Sequence, residues 1–175
     1  MVCHVDKRKS LVLESLSLLL KCFYWTMLMK MRAFIFDDNE LVRSLVSLIL
    51  EKRGYEVFAF SDATLCPIFL RNDCPCPSEH TCTDIIVADI NMPNITGLDF
   101  IENQLNFGCK VRNFGVISGN WTNARIEQAK RLNCQIFEKP IDFEHFEKWL
   151  DDCERRSDPE RKLSDWFQER DKENE

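Results

Sequence analysis

The chain has no dense basic stripe: its 23 Lys and Arg are outnumbered by 29 Asp and Glu, for a net charge of -6. That balance argues against a nucleic-acid-binding surface, whose footprint is clustered positive charge. An even complement of cysteines is also lacking, and nine thiols cannot all pair in a secreted disulfide framework. Their scatter through apolar stretches, as at Cys22, Cys66, Cys109 and Cys134, fits reduced core residues of a cytoplasmic protein. No clean membrane span is present, because the apolar run over residues 11–29 holds Glu14 and Lys21, each costing roughly 2 kcal/mol or more near a bilayer centre. Lys7-Arg8-Lys9 ahead of that run resembles the start of a secretion signal, but no small-residue cleavage pattern follows it. Residues 1–30 therefore read as an N-terminal extension or an over-long start ahead of Met27, Met29 or Met31, with a membrane anchor as the lesser alternative.

What is present is an ordinary globular composition, 45% hydrophobic and 30% charged over 175 residues, enough for one core with tails. From Met31 onward strand-like and helix-like segments alternate, the pattern of a parallel α/β sheet. Residues 32–36 form a short buried strand. Residues 39–53 follow as a helix with Leu41, Leu45, Leu48 and Ile49 as its apolar stripe and Gly54 as its stop. Residues 55–60 are a second strand, and Ser61-Asp62 caps a second helix reaching about Leu70, weakened by Pro67 inside it. Residues 72–83 make a long loop. Strands over 84–88, 114–117 and 135–138 alternate with helices over 97–106 and 122–132, and a last helix begins at Asp142. Five such units predict a flavodoxin-like doubly wound five-stranded parallel sheet, strand order 2-1-3-4-5.

In that order, strands one and three flank the point where ligands bind beyond the carboxyl ends. Asp37 and Asp38 follow the first strand and Asp89 the third, while Ser118 and Lys139 close the fourth and fifth. Three acids so placed repel one another unless a cation compensates. Oxygen ligands with no neighbouring His or Cys favour Mg²⁺, which keeps several waters and accepts a phosphoryl oxygen. Taken alone, an acid pair such as Asp37-Asp38 is more often a helix cap, and Ser118 and Lys139 are ordinary loop groups. Only their convergence on one sheet edge makes them a site.

These residues resemble the response-regulator receiver domain of two-component signalling. The resemblance covers residues 31–153 and rests on Asp37-Asp38, on Asp89-Ile90-Asn91-Met92-Pro93-Asn94 leading to Gly97, on Val116-Ile117-Ser118-Gly119, and on Lys139-Pro140. It implies that Asp89 accepts a phosphoryl group from a sensor histidine kinase or phosphotransfer protein. It implies Mg²⁺ on Asp37, Asp38, Asp89 and the Asn91 backbone carbonyl, with Ser118 and Lys139 binding the phosphoryl oxygens, and a cis Lys139-Pro140 bond. The chemistry agrees, since phosphoryl transfer is mostly positioning and charge stabilisation. One departure is Ile136, where the family often carries Tyr or Phe three residues before the lysine. A ring-based readout of phosphorylation is then weaker or routed differently.

After Pro140 only a last helix and a charged tail remain, so residues 154–175 read as a partly helical tail with Leu163, Trp166 and Phe167 at helical spacing. The expectation is a stand-alone cytoplasmic receiver that is not an enzyme beyond promoting its own phosphorylation and dephosphorylation. It would signal to a downstream effector protein through the fourth helix, fifth strand and last helix, Phe143, Phe146 and Trp149 included. A degenerate receiver acting as a scaffold is the alternative. A haloacid-dehalogenase-like phosphatase ranks lower, because it needs Asp-x-Asp where this chain has Asp37-Asp38-Asn39. Cys74, Cys76, His80 and Cys82, with Cys66 in reserve, form a candidate zinc set without paired knuckle spacing; local packing or a disulfide is the plainer reading. The glycosylation patterns at Asn94 and Asn120 mean nothing in a cytoplasmic protein.

Overall fold

The computed structural model describes residues 30–168; the expectations for residues 1–29 and for the tail past 168 lie outside the described residues. Strand β1 (Arg32–Phe36) is buried along its whole length, as a continuous apolar run covered on both faces should be. Helix α1 (Glu40–Lys52) starts at Asn39, whose side chain accepts hydrogen bonds from the Leu41 and Val42 amides. It stops at Arg53, before Gly54 turns the chain at a φ of 85°. Strand β2 (Glu56–Phe60) returns beside β1. The two-residue β3 (His80–Thr81) precedes β4 (Ile85–Asp89), α2 (Gly97–Asn106), β5 (Asn113–Ser118), α3 (Asn123–Arg131), β6 (Cys134–Glu138), α4 (Phe143–Arg156) and β7 (Lys162–Leu163).

The main sheet runs β2-β1-β4-β5-β6 with every neighbouring pair parallel. With β3 left aside, that is the expected flavodoxin-like order. Phe34 and Phe36 of β1 share one core with Phe100 and Ile101 of α2 and Ala129 of α3. On the other face Phe137 of β6 meets Phe146 and Trp149 of α4, ring centroids 5.1 and 5.4 Å away. Gly115 makes room there, since a Cβ would stand 3.0 Å from the Trp149 ring. Phe146 and Trp149 are thereby buried, so of the three aromatics expected to join the signalling surface where exposed, only Phe143 reaches solvent.

Three expectations need correction. The second helix does not form: Asp62 caps a single 3₁₀ turn at Ala63–Leu65, and Cys66 is already extended. Pro67 is the cause, because a residue before proline is disfavoured in the helical region. Four α-helices, not five, flank the sheet among the described residues. On α1 the predicted apolar stripe faces solvent, with Leu41, Leu45 and Leu48 exposed by 81%, 42% and 46%, while Val46 and Leu50 are buried. The helix carries two apolar stripes, and periodicity alone cannot tell which one meets the sheet. The tail also docks as strand and turn rather than as a helix. Its β7 pairs in parallel with β3 in the long loop, and Phe167 is buried against Phe34 and Phe58 at 5.1 Å each.

Arg32 explains that docking. Its buried guanidinium donates to the carbonyls of Cys82 and Ser164, each at 3.0 Å, and to Glu56 at 2.9 Å and Asp165 at 2.5 Å. It also lies over the rings of Phe58 and Phe167. One cation thus joins sheet, loop and tail. No helix among the described residues is long and apolar enough to cross a membrane. Truncating the docked ring, Phe167→Ala, is expected to cost about 3 kcal/mol of unfolding free energy. Leu41→Ala, on the exposed stripe, should cost less than about 0.5 kcal/mol. Urea denaturation measures both, and comparable losses would contradict this packing.

Candidate functional site

The carboxyl ends of β1, β4, β5 and β6 meet along one sheet edge and bring four chain segments together. Directly after β1, the Asp37 amide still donates to the Phe60 carbonyl of β2 at 3.2 Å, which locks the acid to the sheet. The Asn39 amide folds back onto Asp37 Oδ1 at 2.9 Å, and Arg43 donates to the Asp37 carbonyl at 2.7 Å. Because Asn39 caps α1, Asp38 is not needed as the cap, and its exposed carboxylate joins Asp37 and Asp89. Asp89 ends β4. The chain then turns through Asn94, at a φ of 66°, to Gly97 at the start of α2. A Cβ on Gly97 would sit 2.3 Å from the Asp89 carbonyl oxygen, so only glycine lets α2 begin against the acid's backbone.

One oxygen from each of Asp37, Asp38 and Asp89 lies within 4.8 Å of the others. Asp37 and Asp89 are buried, 1% and 3% exposed. The Lys139 ammonium lies between them, 3.0 Å from Asp37 Oδ2 and 3.3 Å from Asp89 Oδ2. Burial pushes the Asp37 carboxyl above its ordinary pKa, with the Asp89 charge adding to it and the bonds from Lys139 and Asn39 only partly offsetting it. Burial works against the charge on Lys139 as well, but its bond to Asp37 and the charges of both acids hold its pKa above the usual value. Asp89 Oδ1 is buried with no hydrogen-bond donor, while the buried Asp37 Oδ2 is met only by the shared Lys139 ammonium. Three carboxylates so grouped, with one ammonium between them, fit a hard divalent cation such as Mg²⁺.

Ser118, fully buried, closes β5 across from Glu138. Its hydroxyl accepts from the Asn91 side-chain amide at 3.3 Å and from the Asn120 backbone at 3.2 Å. The Lys139 amide donates to the Ser118 carbonyl at 2.9 Å, and Lys139-Pro140 is cis. The structure therefore brings Asp37, Asp38, Asp89, Asn91, Ser118 and Lys139 together. It adds contributors that sequence reasoning missed as parts of the site: Asn39, Arg43, and Trp121, whose indole donates to the Phe137 carbonyl at 3.3 Å. The Asn39 amide two residues beyond Asp37 was the readable signal for the first. Arg43 and Trp121 carried none. Ile136, at the departure from the family pattern, is half-buried against the core. A wider cleft opens at the opposite edge, lined by His80, Asp84, Arg112, Arg156 and Arg161, none of them in the acid cluster.

Comparison with known proteins agrees with this geometry. The "Response regulator receiver domain" family model matches residues 33–151. The alkaline phosphatase synthesis transcriptional regulatory protein SphR of Synechococcus elongatus is 30% identical over 70 residues, 39% of this chain and 27% of that protein. The CAI-1 autoinducer sensor kinase/phosphatase CqsS of Vibrio cholerae is 28% identical over 93 residues, 53% of this chain and 12% of that protein. The chain thus spans only a minor part of either relative. Among solved structures, the chemotaxis response regulator CheY4 of Vibrio cholerae superposes with a TM-score of 0.52 at 20% identity, covering 71% of this chain and 99% of that one. By the family model, which matches well over half of its length, this chain belongs to the response regulator receiver domain family of two-component signalling.

Proposed function

We propose that this receiver is a phosphorylation-dependent switch that accepts a phosphoryl group on Asp89 from a sensor histidine kinase or phosphotransfer protein. The observation that carries the reading is the cluster of three carboxylates around one shared ammonium, with Asp89 Oδ1 buried and without a donor. An Asp89 oxygen attacks phosphorus, the phosphorus–nitrogen bond of the phosphohistidine breaks, and the imidazole nitrogen keeps the electron pair and takes up a proton. Asp37, Asp38, Asp89 and the Asn91 carbonyl would hold Mg²⁺, which would supply positive charge to the phosphoryl oxygens. Lys139 moves from bridging two carboxylates to pairing with a phosphoryl oxygen. Ser118 turns its hydroxyl toward another, giving up its donation to the Asn120 carbonyl. The chain is thus an acceptor that promotes its own phosphorylation and dephosphorylation. It acts in the cytoplasm, the compartment that suits its free thiols at Cys66, Cys74, Cys76, Cys82, Cys109, Cys134 and Cys153.

The readout runs through Trp121 rather than through residue 136. Movement of Ser118 displaces Asn120, which donates to it, and so strains the adjacent Trp121 bond to Phe137 of β6. Phe137 itself is packed beneath Phe146 and Trp149 and has no room to swing. A downstream effector protein then reads the surface of α3, β6 and α4.

Incubation of the full chain with Mg²⁺ and acetyl phosphate should add the mass of one phosphoryl group as a base-labile acyl phosphate. The adduct should vanish in Asp89→Asn or when Mg²⁺ is chelated; labelling that survives in Asp89→Asn, or repeated turnover of phosphoesters, would overturn the reading. Beryllofluoride with Mg²⁺ should change tryptophan fluorescence in the parent chain but not in Trp121→Phe, with amide shifts concentrated at residues 118–121 and β6. Large shifts across α4 instead would contradict the Trp121 route.

A further inference from the structure

Four of the free thiols gather at the end of the molecule away from the acids, where the long loop, the turn after α2 and the docked tail meet. Cys74, Cys76 and Cys82 come from the loop and Cys109 from the turn after α2. The Cys76 sulfur neighbours those of Cys82 and Cys74, and Cys109 lies close to the group. The Cys76 amide faces the Cys74 sulfur, and the Val111 and Lys110 amides face that of Cys109. Backbone is tied in at the same place: the Cys74 amide donates to the Phe107 carbonyl at 2.9 Å, and Lys110 Nζ donates to the carbonyls of Cys76 at 2.8 Å and Pro77 at 2.5 Å.

A second observation points to a ligand. Trp166 Nε1 is buried without a well-formed acceptor, and the atom it faces is the Cys76 sulfur. A neutral thiol is a weak acceptor, whereas a metal-bound thiolate is a good one and is typically oriented by such outer donors.

We propose that Cys74, Cys76, Cys82 and Cys109 form a structural Zn²⁺ site that staples the loop before β4 to the end of α2. Soft thiolates in a set of four suit tetrahedral zinc rather than the hard ion expected at the acids. The thiols run as a chain from Cys74 to Cys76 to Cys82; among the described residues only the three acids have ligand atoms all within 4.8 Å of one another. Closing the chain around an ion with Zn–S of about 2.3 Å draws in Cys74 and Cys109, the half-buried members. The location has a physical reason. The helix that would cover this stretch is broken at Pro67, and a metal crosslink orders irregular chain that buries little apolar surface of its own. Two residues of the sequence-based set drop out. His80 lines the cleft with Arg112 and Arg156, and Cys66 lies against the Ile68 and Phe69 amides. Cys109, remote in sequence, replaces them.

The test is zinc content of the full chain purified without added metal or nickel resin, together with Co²⁺ reconstitution of metal-stripped protein. About one zinc per chain is expected, with the near-ultraviolet thiolate-to-cobalt band and visible absorption of a tetrahedral site. Both should fall at least tenfold in Cys76→Ser and in Cys109→Ser, the latter a half-buried position that keeps the test open if the former misfolds. Cys134→Ser in β6 should retain them. Less than about a tenth of an equivalent of zinc, zinc undiminished in Cys109→Ser, an octahedral cobalt spectrum, or a Cys76–Cys82 disulfide in the purified chain would each overturn the proposal.

Discussion

One ammonium shared by two buried carboxylates is the contact on which the rest of the working edge depends. Lys139 reaches Asp37 and Asp89 only because β1, β4 and β6 end level with one another, and the uninterrupted parallel register of the sheet enforces that. The contact is incomplete by charge, since three carboxylates face a single cation. Water would relieve the repulsion at an exposed site, but Asp37 and Asp89 are closed off from it. On the proposed function, a divalent ion would relieve that imbalance, and Lys139 would then be free to meet a transferred oxyanion. Local devices hold the geometry without adding charge. Asn39 braces Asp37 and caps α1, and Gly97 lets α2 start against Asp89.

The other end of the molecule is organised by different chemistry. Arg32 gathers β2, the long loop and the tail, and its cation is answered by Glu56, Asp165 and two carbonyls instead of being left for a ligand. Phe167 seals the arrangement against β1 and β2. The loop that lost its helix at Pro67 is thereby held by the tail and by the Lys110 bonds to the Cys76 and Pro77 carbonyls, away from the acids. A receiver fold modified there keeps its acid-bearing edge intact, because the strands that carry the acids do not depend on the missing helix for their pairing.

The convergence of the candidate residues on one sheet edge was legible in the sequence. Asp37, Asp38, Asp89, Ser118 and Lys139 were readable because each closes a strand, and strand ends in a parallel sheet share an edge. The sheet order followed from the same alternation. Reading failed where two patterns compete or a partner is distant. On α1, Leu41, Leu45 and Leu48 make as good a helical stripe as the residues that face the sheet, and only packing distinguishes them. Trp166 and Phe167 fit a helix by spacing but meet their partners through β7, whose partner β3 lies some eighty residues earlier. Arg32 looked like one more strand residue, and Cys109 had no sequence neighbour to suggest a cluster.

The central claim is that burial disfavours charge on Asp37 and that a divalent cation would relieve that cost. Unfolding in urea, with and without Mg²⁺, for the parent chain and Asp37→Asn tests it most directly. Because burial raises the Asp37 pKa in the folded state, any relative stability from its protonated form is present at low pH and lost as pH rises through that value. In the absence of metal, Asp37→Asn should therefore be more stable than the parent at neutral pH, by roughly 0.5–2 kcal/mol, with the advantage fading as the solution is acidified. Saturating Mg²⁺ should stabilise the parent by about 1–3 kcal/mol and the variant far less. A parent chain unmoved by Mg²⁺, or an Asn variant less stable than the parent without it, would contradict the account.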